Sequence, residues 1–222
     1  SSVTARPSLS DPLSNLVRGV LPDTTTPLVT ATSSRRLTPA VALCATVVLG
    51  FVAFAAVAAL VQTPRIFYDE LIYMEAAASL ADGEGLEVRG GRYQYGVLYP
   101  ALAAPLLALA GDRESAYLLL RVANALLFAL TAVPAYLLAR RLLEPWPSVA
   151  VAGLSILVPS TVYVTVVMTE SLAYLTATWA LLAIVLAAER PTPLRQLGAL
   201  VAVGVASLAR AQFFSLFAVL LL

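Results

Sequence analysis

RRLTPAVALCATVVLGFVAFAAVAALVQ, residues 35–62, decides the class of fold. From Thr38 to Gln62 the stretch is almost purely apolar, and roughly 20 such residues cross a bilayer. Arg35 and Arg36, directly before it, favour a cytoplasmic start, so the chain beyond Gln62 emerges on the outer face. The stretch is too long for a secretory signal and lacks a small-residue cleavage site. Residues 1–37 are rich in Ser, Thr, Pro and charge without periodicity, and they read as a disordered cytoplasmic tail.

Composition agrees with that opening. Of 222 residues, 60% are hydrophobic and 12% charged, against about 45–50% and 25% in a soluble domain. The expectation is an all-α, polytopic membrane protein. A net charge of +1 implies no polyanion-binding surface and argues against nucleic acid as a partner. Cys44 is the only cysteine, which excludes a disulfide framework or thiolate cluster within the chain. Histidine is absent, removing the commonest general base and metal ligand together. All the basic residues are arginine, a pattern that coding bias accounts for.

The next apolar run, Val97 to Ala110, is short for a span and suits a re-entrant or interfacial helix. With that run held outside, Tyr117 to Leu143 crosses inward and delivers Arg140-Arg141 to the cytoplasm, as the arginine bias requires. Residues 63–116 then form one long external loop carrying its own helices. Further spans follow at 148–167, kinked at Pro159, at 171–188, at 194–208 and from 211 to 222, with Arg190 and Arg195 flanking a cytoplasmic turn. The chain begins without methionine and stops inside an apolar run, so it reads as the N-terminal part of a longer protein, with residues 38–222 forming part of one transmembrane domain.

This topology gathers charge on the external face. Arg65-Ile66-Phe67-Tyr68-Asp69-Glu70 brings an acid pair just past the first span, and Glu170 and Arg210 end later spans on the same side. Tyr68 to Leu80 reads as an interfacial helix with Leu71, Ile72, Ala76 and Leu80 toward lipid and Glu70 and Glu75 away from it. Asp82-Gly83-Glu84-Gly85 ends it as a turn. Two readings stand for Asp69: an N-cap for that helix, or an acid that acts on a substrate. Neighbours on a helix diverge by about 100°, so Asp69 and Glu70 would not grip the same atom. Glu170 is either the acidic first turn of its helix or a substrate contact. Arg210 is either a snorkelling anchor or a guanidinium aimed at phosphate. Arg89, Arg92 and Arg121 are further external cations, and Arg92, in the Gly-rich Gly90-Gly91-Arg92-Tyr93-Gln94-Tyr95, is the best placed for a ligand. No P-loop, dinucleotide turn, His- or Cys-based metal motif or histidine-activated nucleophile occurs. A divalent metal on carboxylate oxygen, with Asp69 as a ligand, is compatible with the residues but not demanded by their spacing.

Several of these segments, taken in order, carry a resemblance. They are Tyr68-Asp69-Glu70, the run from Ala78 to Leu86, Tyr95-Gly96-Val97-Leu98-Tyr99-Pro100, the Arg121-containing span ending in Arg140-Arg141, Thr169-Glu170, and Leu208-Ala209-Arg210. Over roughly Thr38 to Leu222 the set resembles the N-terminal half of GT-C glycosyltransferases. The branch is the one related to dolichyl-phosphate-mannose protein mannosyltransferases and the lipid A aminoarabinose transferase. The resemblance implies a GT-C-like helical bundle in the cell membrane with its active site outside. It implies a polyprenyl-phosphate sugar as donor, and a lipid, glycan or protein as acceptor. It casts Asp69 as the general base on the acceptor. The residues themselves add Glu70 as a second catalytic acid, and Arg92, Arg210, Glu170 and Tyr95 as substrate-binding residues, with an arginine to stabilise the departing lipid phosphate. Some relatives carry a lysine just before the Tyr-Pro segment. This chain has none, so an arginine or a residue beyond Leu222 would hold the phosphate. The alternatives are a multi-pass transporter or lipid flippase, and a non-catalytic scaffold whose acids only cap helices.

Overall fold

A computed structural model describes residues 37–61 and 67–220. The expected tail lies outside the described residues. The regular structure among the described residues is helical apart from one two-stranded hairpin.

Helix α1 (Pro39–Leu60) opens with Thr38, whose hydroxyl accepts from the Val41 N–H at 3.3 Å, and with Pro39 at the first helical position. Proline suits that position because its missing N–H would have no partner there. Helix α2 (Tyr68–Ala81) runs to the expected glycine turn, where Gly83 and Gly85 take positive φ. Strands β1 (Glu87–Val88) and β2 (Gly91–Arg92) pair antiparallel across Arg89-Gly90, both with positive φ. That hairpin is clamped to α2: the Arg89 N–H donates to Glu75 at 2.9 Å, and the Arg89 guanidinium lies 5.2 Å above the Tyr68 ring.

Helix α3 (Leu98–Leu109) has 12 residues, about 18 Å at 1.5 Å per residue, less than the roughly 30 Å of a bilayer's hydrocarbon core. Helices α4 (Arg113–Leu130) and α5 (Ala132–Ala139) form one 27-residue apolar rod, Arg113–Ala139. Helix α6 (Pro145–Ile156) gives way to a 3-10 turn, Pro159–Thr165, at a bend of 57°. The expected kink is there, because Pro159 has no N–H with which to continue the ladder. Helix α7 (Glu170–Glu189) then runs back beside α8 (Pro193–Ala209), and after Arg210 a short 3-10 turn leads into α9 (Ser215–Leu220).

Pro39–Leu60, Arg113–Ala139 and Glu170–Glu189 are long and apolar enough to cross a membrane, and the bent pair makes a fourth if it counts as one span. Helix α8 has 17 residues and covers the expected run at 194–208. Arg210 adopts an extended backbone that ends α8, and the expected run from 211 starts as the 3-10 turn Ala211–Phe214 instead of one continuous helix.

Specific contacts sort the helix termini into two ends. Arg141 holds Glu189 through two N–H groups, joining the α5–α6 turn to the C-terminus of α7. Gly153 of α6 faces Thr46 of α1 and Gly50 of α1 faces Ile156, so these two helices run parallel from that same end. At the other end the Arg121 guanidinium donates to the Val61 carbonyl at 2.6 Å, and the Thr169 hydroxyl donates to the Ala209 carbonyl at 3.1 Å.

Between the 3-10 turn and α7, Val166-Val167-Met168 is unwound and buried. Backbone groups in an apolar interior must find partners, and two side chains provide them. The Glu70 carboxylate accepts the Val167 N–H at 2.7 Å, and the Asn124 amide donates to the Val166 carbonyl at 2.9 Å and to the Met168 carbonyl at 3.5 Å. Asn124→Leu leaves those carbonyls without that donor, and stability should fall by about 1–3 kcal/mol. A lowered thermal midpoint in detergent is the expected result. An unchanged midpoint would show that the unwound segment does not depend on Asn124.

Candidate functional site

The first turn of α2 presents the acid pair in two directions. Asp69 is exposed and lines a shallow notch with Ile72, Tyr73 and Tyr95. Glu70 is 3% exposed and points into the protein. Its Oε1 accepts the Tyr117 hydroxyl at 2.7 Å and the Val167 N–H at 2.7 Å, while Oε2 accepts the Phe67 N–H at 3.4 Å. The helix cap is therefore Phe67, with Glu70 reaching back to it, and Asp69 makes no capping bond. That corrects the N-cap reading of Asp69. A carboxylate three residues into a helix is spaced to reach the cap N–H, whereas Asp69 sits one residue too early to do so.

Ile72 and Ala76 correct the expectation of a lipid-facing stripe. They are buried with Tyr73 and Ala77 in a core shared with Tyr99, Ala103, Leu120 and Leu172, and Leu71 is the exposed one. The reason is Glu70: its hydrogen bonds turn its own side of α2 inward, and Tyr73 and Ala77 follow on the same face.

Arg121 is likewise corrected. It is not a free external cation but 5% exposed, bonded to Val61 and stacked 4.6 Å from the centre of the Tyr117 ring. A desolvated guanidinium over an aromatic face is a favourable pairing. Through Tyr117 this cation adjoins the Glu70 carboxylate.

Glu170 and Arg210 come together as an ion pair at 3.0 Å between Oε1 and Nη1. Helix α7 starts at Glu170 and α8 ends just before Arg210, so the α7–α8 packing brings the two side chains to one place. Glu170 Oε2 is buried without a hydrogen-bond partner among the described residues, while the Arg210 side chain is 41% exposed. Both line a cleft of about 190 Å³ with Ser160, Tyr163, Tyr174 and Gln212.

Tyr73 lines the notch and lies within electrostatic reach of the Glu170–Arg210 pair. Burial pushes its hydroxyl up to about 12, and the charges of Glu170 and Asp69 push the same way while Arg210 opposes them. One phenol therefore feels Asp69, Glu170 and Arg210 together. Around it stand Tyr93, Tyr95 and Tyr99, with ring centres 6.5, 6.3 and 5.4 Å from that of Tyr73. Tyr95 is 51% exposed at the mouth of the notch. Arg92 is exposed on β2.

Tyr95 is held by its neighbour. The Tyr93 hydroxyl donates to the Gly96 carbonyl at 3.0 Å, and Gly96 lies flat against the last carbonyls of α8. A Cβ at Gly96 would stand 2.8 Å from the Leu208 carbonyl oxygen and closer still to that of Ala209. The strap from Tyr93 to Val97 thus seats directly beside Arg210.

Reading the sequence missed Tyr73, Tyr99, Tyr117, Asn124 and Gly96. Asn124 carried a signal, as an amide inside an otherwise apolar span, where burying a polar group demands partners. The tyrosines carried none, since an aromatic ring at a membrane edge is ordinary.

Among the described residues no three His, Cys, Asp or Glu side chains gather as a metal site. A divalent ion at Asp69 would draw its remaining ligands from water or a bound phosphate. The chain matches no protein-family model, no curated protein and no solved structure.

Two outcomes test this geometry. Gly96→Ala should displace Tyr95 from the notch, read as a change in tyrosine fluorescence and a lower thermal midpoint. A variant that behaves as wild type would refute the close approach. The raised Tyr73 hydroxyl stays protonated when the folded chain is at pH 10–12, where an unfolded chain loses the proton. Stability therefore falls as pH climbs through that window, and the fall should be shallower in Tyr73→Phe.

Proposed function

We propose that this chain belongs to a multi-pass membrane glycosyltransferase of the GT-C type. It would move a sugar from a polyprenyl-phosphate donor to a lipid, glycan or protein acceptor at the external face, with inversion. The observation that carries this reading is the exposed Asp69 carboxylate, set in an aromatic notch and sharing the neighbourhood of Tyr73 with the Glu170–Arg210 pair.

In this reading Asp69 takes the proton from an acceptor hydroxyl as that oxygen attacks the anomeric carbon. The bond from that carbon to the phosphate oxygen breaks, and the polyprenyl phosphate departs with the electron pair. A general base contributes about 10²–10⁴ to such a step. A phosphate leaving group needs cationic stabilisation rather than a proton. Arg210 supplies it: one Nη1 hydrogen is given to Glu170, and a guanidinium has five N–H donors in all. Tyr95 offers an open ring for a sugar face beside the base. Glu70, with its carboxylate buried under three donors, becomes a positioning residue that aims Asp69 instead of a reacting group. The external orientation follows from putting the arginine-rich end in the cytoplasm.

The unwound Val166–Met168 segment favours a second reading, since transporters often bind ions at broken helices. Here, however, the exposed backbone groups are already taken by Glu70 and Asn124.

The test uses membranes holding the protein and radiolabelled polyprenyl-phosphate sugars. Wild type should release label from the carrier, and Asp69→Asn should lose about 10²-fold or more of that rate while remaining folded. Undiminished transfer by Asp69→Asn would overturn the assignment of the base. No transfer by folded wild type with any hexosyl or pentosyl donor would move the weight to the transporter.

A further inference from the structure

The end of the bundle opposite the acids has a chemistry of its own. The α5–α6 turn brings Arg140, Arg141 and Glu144, and the α7–α8 turn brings Glu189, Arg190 and Arg195. Four arginines thus meet two glutamates, an excess of two positive charges in a small area. The Arg141–Glu189 bonds lock the two turns together. Arg190 and Arg195 lie within electrostatic reach of the same Glu189 carboxylate that Arg141 holds.

The guanidinium groups are only partly engaged. Arg140 gives Nη1 to the Leu143 carbonyl, and Arg195 gives Nη1 to the Leu186 carbonyl at 3.0 Å. Each has four further N–H donors. Arg190 is exposed at the end of α7. Around these cations stand large apolar side chains that the described protein does not cover: Leu142 at 89% exposed, Leu194 at 79% and Trp146 at 51%.

We infer that this end of the bundle seats the phosphate headgroup of an anionic membrane phospholipid between the two turns. The guanidinium fork matches phosphate oxygens, and the excess positive charge has no counterpart within the two turns. The uncovered leucines and Trp146 decide the source of the phosphate. They suit acyl chains and the headgroup boundary, where tryptophan concentrates, and free phosphate would leave them in water. This inference needs the chain to lie in a bilayer and is independent of sugar transfer.

The test is lipid retention by the full chain, with native mass spectrometry counting bound phosphatidylglycerol against phosphatidylcholine. Wild type should retain phosphatidylglycerol preferentially. Arg190→Gln with Arg195→Gln should cut that preference roughly thirtyfold, from about 1 kcal/mol per arginine near an anionic surface. Arg141 is left in place, so the Glu189 tie between the turns persists. Should the double variant not fold, Arg190→Gln alone should still reduce the preference, since the Arg190 side chain closes no contact between the turns. Equal retention of both lipids by wild type would overturn the site. So would an unchanged preference in a folded variant, or displacement of the lipid by millimolar inorganic phosphate.

Discussion

A carboxylate in an apolar bundle is costly unless hydrogen bonds replace the water it loses. Glu70 meets that condition with groups that need it in return. The Val167 N–H lies where the helical ladder has been interrupted, so it too would be orphaned without an acceptor. Tyr117 completes the arrangement and carries the Arg121 charge against its ring. Asn124 does for the flanking carbonyls what Glu70 does for the N–H. Because these groups satisfy the break, α7 can start at Glu170, directly across from the end of α8. The acid–arginine pair follows from that placement.

The same bond fixes the aim of α2. With Glu70 drawn inward, the neighbouring carboxylate of Asp69 must leave the helix in another direction, toward Tyr95. An acid pair that looks redundant in sequence is thus divided into one member that holds the helix and one that faces outward. The strap at Gly96 makes a matching division on the other wall, where Tyr93 ties the backbone and Tyr95 is left open.

Much of the helical layout was legible because it depends on local properties. The apolar run after Thr38, the stop at Asp82-Gly83, the kink at Pro159 and the arginines at the turns are all set by neighbouring residues. The direction of α2 was not legible, because an apolar residue in a membrane protein gains similarly from lipid and from a protein neighbour. Ile72 and Leu71 therefore look alike in sequence, although one is buried and the other exposed. Arg121 misled for the opposite reason: charge suggested exposure, but a carbonyl and an aromatic ring 60 and four residues away along the chain made burial tolerable. The convergence of Asp69, Glu170 and Arg210 near Tyr73 depends on three separate packings, and no window of sequence contains it.

Helix α8 ends at Arg210 after 17 residues, which is about 25 Å of rise against roughly 30 Å of hydrocarbon. A bilayer meeting so short a wall deforms before it leaves apolar side chains bare or polar ones submerged. The leaflet at that end would be pinched inward toward the Glu170–Arg210 cleft. The polar head of a neighbouring membrane lipid would then lie nearer the level of the arginine, so the length of one helix would set the local thickness of the bilayer beside the cleft.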